Sequence, residues 1–503
     1  MSNSLDPKTI KKYFKDQKPP NLSDLQKKHQ KFRDPYFPPT LNSLVGKDIH
    51  GNFVDTKYGE EKLDEMEGDD PGSTTGKYTW KRASEVSDNW KIFEGKIEME
   101  DINQGQLGDC YFLTACASLS NYPYLIKEKF RTDEYNEECY YEIIMFLDGE
   151  WQVVFVDDYF PWSDEIDNFC YAQSHGDELW VMILEKAWAK VNGGYALING
   201  GLVKDPLIAF TGFPSSDYGH LPSQVDQLFD TIEQGTQKNT VMSVGSKPDE
   251  EIEEKGLVLG HAYTLLAGKS YETEDEFIDL IKVRNPWGEG EWNGDWSDKS
   301  KKWTEELKEY FEVVKKEDGI FWISVDDYVK YFASTSICYL LYGSIIKQFY
   351  IENESLFKEP IVFNIHLDET STMSISALFK DEKFNRDMHD VKHPFSMVLC
   401  QYNHYPEILK VYSNFNYKTD MSIIQELPEG NYALWLYCDY PNVKNDNNFK
   451  YVLRFNSLSD FQVEYVGMDD KCKLIQFIAT ENFKRKNLFQ WVRFRFEQSK
   501  FVK

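Results

Sequence analysis

Four side chains of this sequence could together break an acyl bond: the thiol of Cys110, the imidazole of His261, and the carboxamides of Asn285 and Gln104. A thiol attacks as its thiolate, so it needs a partner that takes or shares its proton. His261 can be that partner, and Asn285 can hydrogen-bond the other ring nitrogen and fix its tautomer. Gln104 could aim its amide N–H, beside the Cys110 backbone N–H, at the oxyanion that forms when sulfur attacks a carbonyl. Each residue also has a plainer reading. Cys110 alone would be a buried helix cysteine, His261 a structural strand histidine, and Asn285 a turn residue. It is the set of three types that a nucleophile, a base and an orienter require.

The segments around them are suited to hold them. Gln104-Gly105-Gln106-Leu107-Gly108-Asp109-Cys110 is a polar, Gly-rich turn that runs into Tyr111, Phe112, Leu113, Ala115, Cys116, Ala117 and Leu119. Apolar residues at spacings of three and four predict a buried helix with Cys110 at its N-terminus. There the unsatisfied N–H groups and the helix dipole favour a thiolate. Gly260-His261-Ala262-Tyr263-Thr264-Leu265-Leu266 sets the histidine at the mouth of an apolar strand. Val283-Arg284-Asn285-Pro286-Trp287-Gly288 ends another strand in a turn.

Around these blocks the chain changes texture. Residues 1–34 are Lys-rich and read as a mobile tail or a loosely docked helix. Phe32 to Pro39 is extended and fixed by proline, Glu60 to Asp70 is an acidic surface loop, and Tyr78–Arg82 is a short strand. From Cys110 to about Gly201 the signals are mainly helical, strongest at Leu179–Val191, which Asn192-Gly193-Gly194 stops. From 202 to 345 short β-rich runs dominate, at Thr240–Val244, Ala262–Ala267, Ile278–Val283 and Gly319–Val325. A helical lobe followed by a β lobe is a natural way to build a cleft. From 346 to 503 short strands separated by polar turns, without intervening helices, predict an all-β sandwich.

The totals narrow the class. With 503 residues, 41% hydrophobic and 16% aromatic, the chain can form several packed domains. A net charge of −28 argues against a nucleic-acid binder and supplies carboxylates for a hard cation such as calcium. The eight cysteines are scattered with no C-x-x-C pair, which fits a reducing compartment better than a disulfide framework or a zinc site. Met1 to Asp6 has no apolar signal core, and the uncharged run Tyr331–Ile346 is too short to span a bilayer, so a cytoplasmic location is expected. No EF-hand loop occurs in the sequence.

The order Gln, Cys, His, Asn is the papain-type order. The blocks at Gln104–Leu113, Gly260–Tyr263 and Asn285–Glu289 resemble the core of the calpain-type cysteine proteases. So do Phe32–Pro39, Trp80-Lys81-Arg82, Leu184-Glu185-Lys186-Ala187, Glu291–Asp298 and Glu317-Asp318-Gly319. The resemblance covers roughly residues 32–345. It implies an α+β, papain-like two-lobed protease core, followed by a C-terminal sandwich that Leu427–Tyr432 weakly supports.

That resemblance further implies a calcium-dependent intracellular endopeptidase performing limited proteolysis of protein substrates, with one calcium ion in each lobe. Carried over by position, the first-lobe ligands are Asp101 and Glu178, with carbonyls from the Phe93–Lys96 turn. The second-lobe ligands are Glu291, Asp298 and Asp318, with a carbonyl at Lys316. Ile320 stands where the family often has another acid, and Tyr111 stands where it usually has Trp. Trp287 matches a tryptophan that plugs the cleft without calcium. A C-terminal domain of this type implies contact with the protease and, as an alternative to a plain packing role, which is favoured, contact with a phospholipid surface. No nucleic acid and no EF-hand small subunit are expected, and the chain should be a monomer. The competing readings are a catalytically silent scaffold of the same fold, which should have lost Cys, His or Asn, and acyl transfer, which typically orients its histidine with aspartate.

Overall fold

The computed structural model describes residues 10–46, 78–174, 176–274, 276–288, 290–353, 361–379, 395–402, 408–416, 420–438 and 449–466. The Glu60–Asp70 loop therefore lies outside the described residues, as does Glu289. The described chain falls into two compact units that meet in sequence at Leu340 and Leu341. Among the described residues no helix is long and apolar enough to cross a membrane.

The first unit opens with a long arm. Its helix Leu22–Lys28 lies between two anchor points. Tyr13 donates to Glu142 at 2.8 Å, and the Val153 N–H donates to the Lys12 carbonyl at 2.8 Å. Phe32 packs with Tyr140 and Phe155 in a closed aromatic cluster. Residues 10–34 are thus docked rather than loose. Asp34 is fully buried, and its carboxylate pairs with Lys190 at 2.6 Å.

The helices around the nucleophile are built as the sequence predicts. Cys110–Ser120 is helical and buried from Tyr111 onward. The helix Trp180–Asn192 is buried almost all round and ends at Gly193. The same stretch also holds strands that the helical expectation missed. Of these, β5 (Tyr159–Ser163) and β6 (Asn168–Phe169) form one sheet with β1 (Tyr78–Arg82), the short strand that was expected, and β7 (Gln173–Ser174) pairs with β2 (Ile102–Asn103), which precedes the stretch. β3 (Tyr140–Leu147) and β4 (Glu150–Asp157) make a hairpin. Its two-residue turn is Asp148-Gly149, both with positive φ (52° and 78°), the conformation that matches strand twist in a tight hairpin.

Residues 202–340 pack helices on one six-stranded antiparallel sheet. Its strands are β8 (Ser215–Gly219), β9 (Thr240–Ser246), β10 (Ala262–Glu272), β11 (Phe277–Arg284), β12 (Ile320–Ser324) and β13 (Phe332–Tyr339), in the order β12-β11-β10-β9-β13-β8. The amphipathic helix Val225–Gln237 lays Leu228, Phe229 and Ile232 onto Met242, Val244 and Leu265. Each such side chain contributes about 1.5–3 kcal/mol when fully buried. This sheet holds β10, the strand that His261 leads into, between β9 and β11.

Among the described residues the second unit is built of strands. β14 (Ile345–Asn353), β16 (Ser371–Phe379), β19 (Asp420–Leu427) and β21 (Phe449–Ser457) form one antiparallel sheet. β15 (Ile361–Leu367), β17 (Phe395–Tyr402), β18 (Ile408–Asn416), β20 (Gly430–Cys438) and β22 (Phe461–Tyr465) form a second. Alternate residues of both sheets, among them Phe363, Ile375, Leu399, Leu434 and Phe455, meet in one hydrophobic cluster.

Candidate active site

The turn before the nucleophile is pressed against its neighbours. A Cβ at Gly105 would fall 2.3 Å from the Tyr171 carbonyl oxygen, so only glycine fits. The Gln106 N–H donates to the Cys170 carbonyl at 2.8 Å, and the Gly200 N–H to that of Gly108 at 2.8 Å. The Asp109 carbonyl accepts the N–H groups of Phe112 (2.8 Å) and Leu113 (3.1 Å), starting the helix with Cys110 at its first residue.

His261 stands immediately before β10. Its backbone is pinned to Ser246: the His261 N–H donates to the serine hydroxyl at 2.8 Å, and the Ser246 N–H donates to the His261 carbonyl at 2.8 Å. The nucleophile helix runs against this strand. Thr114 donates to the Ala262 carbonyl at 3.1 Å, and the Ser118 and Thr264 hydroxyls lie 3.3 Å apart. The Ala262 backbone N–H is among the groups that favour the charged form of the Cys110 thiol. The fold therefore brings Cys110 to the residue beside His261, although they are far apart in sequence.

Asn285 follows β11 and is fully buried. Its Oδ1 accepts the Trp287 N–H at 3.1 Å, which fixes the orientation of the amide because that N–H can only donate. The His261 Nε2 lies 3.2 Å from the same oxygen. Nε2 must then carry the ring proton, and Nδ1 is left as the basic nitrogen. The Trp287 ring lies 4.4 Å from the His261 ring, tilted by 44°, and is itself 49% exposed. Gln104 donates from Nε2 to the Leu107 carbonyl at 2.8 Å, and an amide has a second N–H.

The electrostatics run opposite to the helix-dipole expectation for Cys110. Burial first, and the charge of Asp109 second, push its thiol up, while backbone N–H groups of Ala262, Tyr111 and Cys110 itself pull it down. Burial also pushes His261 down to about 4, against the opposing bond to Asn285. In this arrangement the pair is thiol and neutral imidazole rather than an ion pair.

The acidic residues form two groups. Near the Phe93–Lys96 turn, Glu178 accepts from the Glu94 backbone N–H and from Trp180 Nε1 at 3.2 Å. Burial raises its carboxyl, and the charge of Asp101 adds to that. Asp101 accepts the Glu98 N–H at 2.7 Å. In the second group Glu291 Oε1 accepts the N–H groups of Asp318 and Gly319, both at 3.0 Å. Asp298 accepts the Lys316 N–H at 3.3 Å, and Asp318 accepts the Ile320 N–H at 3.1 Å. Burial pushes Asp298 up to about 6, and the charges of Glu291 and Asp318 add to it. Mutual repulsion of this kind is what a divalent cation relieves, and carboxylates are the donors calcium prefers. Among the described residues, however, no three His, Cys, Asp or Glu side chains already converge on one point.

Two site-adjacent acids escaped the sequence reading: Asp109, and Glu185 on the helix Trp180–Asn192, are buried at 0% and 2% exposure behind the nucleophile. A charged residue inside the apolar run Trp180–Val191 was the signal available for Glu185.

Comparison with known proteins gives a consistent family. Residues 32–339 match the description "Calpain family cysteine protease". The rice protein "Calpain-type cysteine protease ADL1" (Oryza sativa subsp. japonica) is 34% identical over 330 residues, 62% of this chain and 14% of its own length. The bovine "Calpain-2 catalytic subunit" is 34% identical over 319 residues, 61% of this chain and 43% of its own length. The rat "Calpain-1 catalytic subunit" is 34% identical over 323 residues, 61% of this chain and 42% of its own length. The chain thus spans less than half the length of these relatives. From the extent of the family match, this chain belongs to the calpain family of cysteine proteases.

Proposed function

We propose that this chain is a calcium-dependent cysteine endopeptidase that cleaves proteins through Cys110, His261 and Asn285. The observation that carries the reading is the 3.2 Å bond from His261 Nε2 to Asn285 Oδ1, at the start of a strand to which the Cys110 helix is bonded through Thr114 and the Ala262 carbonyl. His261 Nδ1 takes the thiol proton as sulfur attacks the peptide carbonyl carbon. The Cys110 backbone N–H and the second Gln104 N–H face the oxyanion. Collapse of the tetrahedral adduct forms a thioester and breaks the C–N bond, and His261 returns the proton to the leaving amine. Water then adds to the thioester, giving the acid product and the free thiol.

Asp101 and Glu178 in one group, and Glu291, Asp298 and Asp318 in the other, would hold calcium. Bound calcium would supply positive charge that draws the clustered carboxylates together. Trp287 against the His261 ring fits a resting arrangement with the base buried and neutral, from which the ring must move before the base can work. We read residues 35–201 and 202–345 as the two lobes of a papain-like core, and residues 346–503 as a sandwich domain of the calpain type. The reading extends to a monomeric cytoplasmic enzyme whose C-terminal domain meets a phospholipid surface.

Labelling with a thiol-reactive epoxide tests the reading. Intact mass should show a single adduct on Cys110 with calcium and none in Cys110→Ser. An unlabelled Cys110 at every calcium level would instead support a scaffold.

A further inference from the structure

The ladder between β9 and β10 ends in an irregular pair at His261. Ala262 faces Gly245 and Tyr263 faces Val244, so His261 falls opposite Ser246. Two residues at a hydrogen-bonded position of an antiparallel ladder exchange two backbone bonds, N–H to carbonyl in each direction. Here one of the two is made: the Ser246 N–H donates to the His261 carbonyl at 2.8 Å. Gly260, at φ +53°, turns the chain just before the histidine. The His261 N–H then donates to the side-chain oxygen of Ser246, at 2.8 Å, and not to a backbone carbonyl.

The same hydroxyl has a proton to give. It donates to the Val258 carbonyl at 2.6 Å, tying the segment 247–260 to the end of β9. The Val258 N–H donates in turn to the Tyr263 hydroxyl at 2.8 Å, and the Tyr263 ring meets the His261 ring edge to face at 5.2 Å. Ser246 is a firm anchor because β9 lies inside the sheet, between β10 and β13, with Phe332 of β13 in register with it. Ser246 and His261 are both buried, so water is a poor substitute for a lost partner.

We propose that Ser246 is a positioning residue for His261: its hydroxyl takes the place of a backbone carbonyl and fixes the main chain from which the imidazole works. The proposal rests on His261 being the base. Alanine at 246 takes these partners away from the His261 N–H and the Val258 carbonyl. A base set loosely loses rate at the chemical step and not substrate affinity.

The test compares the unsubstituted full chain with Ser246→Ala, His261→Ala and the double variant in millimolar calcium. It reads kcat and KM on a quenched peptide and, without turnover, the rate of iodoacetamide alkylation at Cys110 by peptide mass. Ser246→Ala should lower kcat by roughly 10- to 100-fold with KM nearly unchanged, and should slow alkylation part of the way to the His261→Ala rate. In the His261→Ala background the serine substitution should add no further slowing, because no imidazole is left to position. A serine that only held the fold would slow alkylation by the same factor in both backgrounds, or raise KM with kcat kept, and either result overturns the proposal. Should Ser246→Ala not fold, Ser246→Cys keeps the shape, offers only a weak donor and acceptor, and is read by the same criteria. If the chain cleaves no peptide, the alkylation rates decide alone. Alkylation of His261→Ala at the unsubstituted rate would retire His261 as the base, and the proposed function with it. Slowing in His261→Ala with none in Ser246→Ala would overturn the positioning role and keep the base.

Discussion

The His261 imidazole meets the Asn285 carboxamide at 3.2 Å, with both residues buried and the amide orientation set by the Trp287 N–H. This bond decides which ring nitrogen is basic. Asn285→Ala should lower kcat by about 10²–10⁴-fold with little change in KM, because it removes orientation of the base and not substrate contacts. Steady-state hydrolysis of a quenched peptide measures it.

Trp287 covers one face of that imidazole. Trp287→Ala should return water to the ring and raise the His261 pKa from about 4 toward its ordinary value. Histidine proton NMR against pH reads the shift directly, and an unchanged value would mean that other walls of the site bury the ring.

One buried and one half-buried histidine predict acid sensitivity of the fold. His261 and His220 are both pushed down to about 4 by burial, and His220 bonds the Phe332 carbonyl and the Thr335 hydroxyl through its two ring nitrogens. Both bind their proton more weakly in the folded state than in the unfolded one. Between pH 6.5 and 4 the unfolded chain therefore holds more protons, and stability falls as pH falls through that window. The loss is on the order of 3 kcal/mol per histidine. Urea midpoints across this range should show it, and His220→Gln should flatten the slope.

The sequence made the site more legible than its surroundings. A Gly-rich turn before an apolar run places Cys110 at a helix start, and that is where the structure has it. The helix expected at Leu179–Val191 is found at Trp180–Asn192. The hairpin of β3 and β4 was missed because both of its faces are largely buried, so Tyr140–Leu147 and Val153–Asp157 lack the alternation that marks a half-exposed strand. Its Asp148-Gly149 turn was the available cue. The direction of the Cys110 shift was misjudged for a different reason. Helix position is visible in sequence, but burial and a charge held unpaired by tertiary packing are not.

The same limit applies to the arm. Nothing local to Lys8–Lys31 reveals that Asp34 will pair with Lys190 at 2.6 Å inside the protein, or that Lys190 also reaches the Phe155 carbonyl at 2.6 Å. Asp34→Ala should cost about 3–5 kcal/mol by leaving a buried ammonium uncompensated. Asp34→Asn combined with Lys190→Met should recover part of that loss. Chemical denaturation of the two variants makes the comparison.

The central claim is a calcium-gated peptidase at Cys110, and hydrolysis of a quenched peptide by the purified full chain tests it most directly. Calcium would be titrated from chelator to millimolar, with Cys110→Ser alongside. The account predicts cleavage that appears only with calcium and is absent from Cys110→Ser. Full activity in chelator would contradict gating through Asp101, Glu178, Glu291, Asp298 and Asp318, and equal cleavage by Cys110→Ser would contradict the nucleophile itself.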